Sequence, residues 1–183
     1  MMQVFNVKRV GLAATLVILL VGVGRIGYAA QTDTQLVTEC RQTVALYRQK
    51  DPSIDSFFRR SAAYVVFPSI AKGGLGIGAA HGTGILFEHD APVGKVTMNQ
   101  VSVGAQAGGQ EFSQIVFYAV PKAVADLKLG KAELSGQLSA VALSAGAAAN
   151  ANFKNGVAVF TATKGGLMFE ASVGGQKFSY VAF

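Results

Sequence analysis

The chain has 183 residues, 51% of them hydrophobic and 14% charged, with a formal net charge of +6. That length supports one domain with a core of its own. A single cysteine, Cys40, excludes an internal disulfide, and the charge is too mild for nucleic acid, which needs a dense basic face.

The first thirty residues read as an export signal. Lys8 and Arg9 precede an uncharged apolar run from Val10 to Gly24, and small residues follow at Gly27, Ala29 and Ala30. A basic stretch, an apolar core and a small-x-small cleavage site are the layout of a secretory signal. Cleavage after Ala29 puts Gly27 and Ala29 at the two small positions. Residues 1–29 are then a signal peptide, and residues 31–183 one domain that is secreted or periplasmic. The rival reading is a retained anchor, but fifteen apolar residues ending at Arg25 fall short of the ~20 that span a bilayer. Losing Lys8, Arg9 and Arg25 lowers the formal charge to +3.

A helical lead-in is expected over 31–62. Leu36, Val37, Cys40, Val44 and Tyr47 fall at helical spacing, with Asp33 near the start and Arg48 and Lys50 near the end, as the helix dipole prefers. Asp51-Pro52 interrupts the helix. A second short helix carries Ile54, Phe57 and Phe58, followed by Arg59 and Arg60. Cys40, on the apolar face, reads as a small buried hydrophobe.

From Ala63 the character changes to a β-rich body. Glycine, alternating Val, Phe and Ala, and few charges predict strands near 63–67, 74–80, 83–88, 95–107, 111–120, 133–145, 157–163, 166–172 and 177–182. Residues 89–94 read as a loop, and Asn155-Gly156 as a tight hairpin turn. Residues 115–120 are apolar on both faces, so that strand should be central. Pro121 opens a short inserted helix that Gly130 stops. Gly73, Gly74, Gly76 and Gly78 imply close backbone approach in a strongly curled sheet. The expected fold is α+β: an antiparallel, strongly curled sheet, sandwich or barrel-like, with N-terminal amphipathic helices and one inserted short helix.

A short block occurs twice. Ala63-Tyr64-Val65-Val66-Phe67 leads to Lys72-Gly73-Gly74-Leu75, and Val157-Ala158-Val159-Phe160 leads to Lys164-Gly165-Gly166-Leu167. Two copies suggest two similar units closing one sheet rather than a solenoid, which needs three or more. Lys72 and Lys164 then sit at equivalent turns, where they share an anion site or keep sheet ends soluble.

Catalytic chemistry is poorly supplied, and no enzyme, cofactor or metal is expected. Residues 74–79 fit a relaxed dinucleotide fingerprint, but no helix opens after them and the acidic ribose partner is missing. His81 and His89 are the only histidines. His89 lies between Glu88 and Asp90, where adjacency alone does not make ligands converge. The one basic and aromatic cluster is Arg48, Lys50, Arg59 and Arg60 with Tyr47, Phe57 and Phe58. It is either an anionic surface contact, with apolar side chains inserting beside the cations, or a solvated face over phenylalanines that cap the sheet.

Residues 61–68, Lys72-Gly73-Gly74-Leu75-Gly76-Ile77-Gly78, Gly82-Thr83-Gly84-Ile85-Leu86, residues 103–110, Val116-Phe117-Tyr118 and the second Lys-Gly-Gly-Leu form one ordered series. The series resembles the SYLF domain, over about residues 36–183; the Ala-rich stretch 139–152 matches poorly. The resemblance implies a non-enzymatic lipid-binding module. Eukaryotic members bind phosphoinositides in trafficking and actin-patch proteins, and some bind actin filaments. The family's membrane contact is a basic, amphipathic region at the domain start, which matches Arg48 to Arg60 here. An exported protein meets other anionic lipids, so neither phosphoinositide specificity nor actin binding is carried over.

The expected partner is therefore an anionic phospholipid surface, with electrostatic roles for Arg48, Lys50, Arg59 and Arg60 and insertion by Phe57 and Phe58. Lys72 and Lys164 are accessory lipid contacts. The second reading is an envelope scaffold or protein-binding module, with actin-type partners included by family analogy, that binds its partner by a sheet edge or the glycine-rich face; a third is a hydrolase built on the two histidines and nearby acids.

Overall fold

The computed structural model describes residues 32–134, 138–164 and 175–183, so the export signal expected at 1–29 and the strand expected at 166–172 lie outside it. Helix α1 (Asp33–Lys50) starts at a capping box: the Thr32 hydroxyl accepts from the Gln35 N–H, and the Gln35 side chain accepts from the Thr32 N–H. Leu36, Cys40, Val44 and Tyr47 are buried along one face. Asp51 closes α1 with its N–H on the Tyr47 carbonyl, and a 3-10 turn (Pro52–Ile54) leads into α2 (Asp55–Arg60).

Strands β1 (Ala63–Glu88) and β2 (Ala91–Tyr118) form one long antiparallel ribbon. Three strands expected between 63 and 88 are one, as are two expected between 95 and 120. The loop expected at 89–94 shrinks to His89-Asp90, both at positive φ (50° and 63°), as a tight hairpin turn requires. The glycines do not break the strands, because the ribbon absorbs irregularities as register shifts after Phe67, Leu75 and Leu86. Pro68 falls in the first shift, where its missing N–H is tolerated. Lys72, expected at a turn, lies inside β1 opposite Gln110.

The ribbon doubles over, bringing the two ends of β1 together. A Cβ at Gly84 would collide with the Val66 carbonyl, and one at Gly82 would lie 2.7 Å from the Ile70 side chain. Strand β5 (Val157–Thr163) pairs with residues 112–118 at one end of β2, and β6 (Gln176–Ala182) with residues 94–99 near the other. The repeated block now has a geometric meaning. Tyr64, Val65 and Val66 pair with Phe117, Val116 and Ile115 from one side; Ala158, Val159 and Phe160 pair with the same three from the other. Both copies run antiparallel to β2, hence parallel to each other. Residues 112–118 of this central strand are all buried.

Helix α3 (Pro121–Lys128) is the inserted helix. Among the described residues, the strand expected at 133–145 is found as β3 (Glu133–Leu134) and β4 (Val141–Ala142). Strand β4 runs parallel to β5, with Val141 opposite Phe160. The six strands among the described residues therefore make a mixed, strongly curled sheet, which corrects the all-antiparallel expectation. Residues 143–156 make this possible, since a parallel neighbour needs a crossover of about a dozen residues rather than a tight turn. The crossover ends at Asn155-Gly156, whose φ angles of 51° and 78° confirm the hairpin. The chain is α+β.

Alternation along the strands fills two cores. Val65, Phe67, Val116, Tyr118 and Val159 face α3 and Phe178. Tyr64, Val66, Ile115, Phe117 and Phe160 face α1 and Phe57. Three buried amides tie two separate stretches of β2 to β6: Gln114 Nε2 donates to Gln176 Oε1 at 2.8 Å, and Gln176 Nε2 to Gln100 Oε1 at 3.4 Å.

Candidate functional site

The C-terminal half of α1 and the whole of α2 carry most of the residues that the sequence singles out. Asp51 fixes their relative course. Its carboxylate, 1% exposed, accepts from the Ser53 N–H and hydroxyl and from the Ala148 N–H at 2.7 Å. Burial alone would raise its pKa, but these hydrogen bonds and one from the Gly146 N–H outweigh it and hold the carboxyl below the ordinary range.

Phe57 does not reach solvent. It is 0% exposed, with ring centroids 4.8 Å from Phe160, 5.0 Å from Phe153 and 5.7 Å from Phe117. This corrects the insertion role expected for it: the side chain anchors α2 to the sheet. Phe58 is half-buried, edge-on to Tyr64 and Phe117, and the Arg48 guanidinium covers its ring at 4.4 Å. It too packs inward, although part of it remains accessible.

The cations stay outside. Arg48, Lys50, Arg59 and Arg60 are all exposed. Arg48 pairs with Asp55 at 2.8 Å, an exposed pair that adds little to stability. Arg60 lies over Phe57 at 5.0 Å and Phe153 at 5.3 Å, so its stem covers the aromatic plug while its charge faces water. Arg59 lines a groove of about 430 Å³ with Arg48, Phe58 and Asp90. Sequence reasoning missed Arg41, which is also exposed and lines an adjoining cavity of about 550 Å³ with Arg48 and Tyr64. The signal was present: Arg41 and Arg48 are seven residues apart, hence on one helical face.

Lys72 and Lys164 lie on opposite sides of β2, beside Gln110 and Glu111 respectively. Lys72 is half-buried. Lys164 pairs with Glu111 at 3.1 Å, and Glu111 also accepts from the Ser69 hydroxyl at 2.7 Å. The Ser69 and Lys164 hydrogen bonds, then the Lys164 charge, lower the Glu111 pKa.

The structure brings Lys164 and Lys50 together at a second feature. A cavity of about 470 Å³ opens between α1 and the β2–β5 pair, and Leu46, Tyr47, Lys50, Ser113, Leu143 and Lys164 are among the residues that line it. Leu46 is 62% exposed there. Across the molecule, Glu88 pairs with Lys128 at 2.8 Å and Asp90 accepts from the Tyr64 hydroxyl at 2.6 Å, so the carboxylates flanking His89 serve the fold.

Among the described residues no helix is long and apolar enough to cross a membrane. Comparison with known proteins finds no family model that matches the chain and no curated protein that matches it.

Proposed function

We propose that this is an exported, non-enzymatic lipid-binding domain of the SYLF type, whose barrel-like sheet carries a cationic lip that docks on anionic membranes. The carrying observation is that Arg41, Arg48, Lys50, Arg59 and Arg60 are all exposed on the helical lead-in. Asp51, the acid between its two helices, is turned inward and consumed by backbone donors. A cation near a charged leaflet gains about 1 kcal/mol, so four or five acting together suffice for reversible peripheral binding. With Phe57 buried, the contact is electrostatic first, and Leu46 is the large apolar side chain most open to solvent on α1.

The test is flotation of the protein with anionic and with neutral vesicles. Recovery with anionic vesicles alone, falling as salt rises, supports the reading. Equal partition into both contradicts it.

A further inference from the structure

We propose that the cavity between α1 and β5 holds the hydrocarbon tail of a single-chain anionic amphiphile, a long-chain alkanoate, whose carboxylate sits between Lys50 and Lys164. The ligand class rests on the lipid-binding reading above; the cavity shares Lys50 with the Arg48 to Arg60 face but none of its arginines.

The interior of the cavity suits a hydrocarbon because three of the four hydroxyl groups that line it, those of Tyr47, Ser113 and Thr43, are already satisfied within the protein. The Tyr47 hydroxyl donates to the Ser113 carbonyl at 2.9 Å, the Ser113 hydroxyl to the Ala162 carbonyl at 3.2 Å, and the Thr43 hydroxyl to the Glu39 carbonyl at 2.9 Å. With those hydrogens spent, the wall offers a ligand mainly carbon from Leu46, Leu143, Ala162 and the Tyr47 ring. At about 470 Å³ the space falls within the ~300–1,000 Å³ of small-molecule sites.

The rim supplies the opposite chemistry. Lys50 and Lys164 both line the cavity and both are exposed. Glu111 holds Lys164 at 3.1 Å but neutralises only one of the two charges. An apolar interior with a net positive mouth selects a molecule with one apolar tail and one negative end. Two lysines, rather than a guanidinium fork, hold a carboxylate as point charges do.

The experiment titrates the full chain with octanoate, decanoate and dodecanoate below their micelle concentrations, with no vesicle present, and with dodecanol as the neutral control. Affinity should rise about fourfold for each methylene added, the factor for burying one methylene group. Dodecanol should bind about tenfold more weakly than dodecanoate, the loss expected when a charged hydrogen bond is removed. Filling the cavity with Ala162→Phe should abolish dodecanoate binding while thermal unfolding stays cooperative. Lys50→Glu with Lys164→Glu, two surface changes, should reverse the preference between dodecanoate and dodecanol. No binding of dodecanoate, equal binding of the two, or full binding by Ala162→Phe would each overturn the proposal. Because vesicles are absent, failure here leaves the flotation result to stand or fall alone.

Discussion

At the scale of single residues, burial decides chemistry more than residue type does. Cys40 is 0% exposed, with its sulfur 3.2 Å from the Val66 carbonyl, and burial pushes the thiol pKa up to about 12. Only the thiolate is a good nucleophile. Native protein should therefore resist a maleimide, with labelling appearing only as denaturant unfolds it; rapid labelling of the native form would contradict the packing of α1. Asp51 is the opposite case, an acid kept charged inside the fold. Its folded pKa is depressed, so its contribution is complete above the unfolded value of ~3.9 and is lost as pH falls through the folded value. Asp51→Ala should cost about 2–3 kcal/mol at neutral pH, since it removes a charged acceptor and orphans the Ala148 N–H. The difference in urea midpoint between the variant and the parent should narrow as pH falls below that window. A gap that does not change with pH would mean the carboxylate is not what holds the turn.

At the scale of elements, local signals were legible wherever a backbone rule acts within a few residues. The break at Asp51-Pro52, Pro121 at the start of α3 and the Asn155-Gly156 turn all appear where the sequence places them. The continuity of β1 and β2 was not legible. Glycine in a short window reads as punctuation, yet here it admits the far end of the same strand, a contact between residues about eighteen apart. The parallel strand β4 was hidden for a related reason, because pairing by two residues leaves almost no pattern. Gly84 makes the point testable. Its missing Cβ is where the Val66 carbonyl sits, so Gly84→Ala should destabilise by about 1–3 kcal/mol, as overpacking does. Stability equal to the parent would mean that Gly84 and the Val66 carbonyl are not in close contact in the doubled ribbon.

At the scale of the molecule, duplication builds the platform and the helical lead-in gives it a face. The two copies of the repeat flank one buried strand, which explains why residues 115–118 carry apolar or aromatic side chains on both faces. One face packs against α3 and β6. The other is covered by α1 and α2, whose cations keep their charges in water even where Arg48 and Arg60 lie over core rings. The sequence pointed to those cations but not to which aromatic beside them is free, because Phe57 and Phe58 are adjacent and differ only in which ring meets Phe160. Nor did it pair Lys50 with Lys164, residues far apart in the chain that meet only because α1 crosses the β2–β5 edge.

The most direct measurement is flotation of Arg59→Glu with Arg60→Glu on anionic vesicles, beside the parent protein at low and at high salt. Reversing both charges leaves Phe57 in its pocket, so thermal stability should fall by no more than about 1 kcal/mol, the worth of an exposed cation over a ring. Vesicle recovery should drop to the level that the parent shows only at high salt. Recovery equal to the parent at low salt, with the fold intact, would show that the cationic lip is not what meets the membrane.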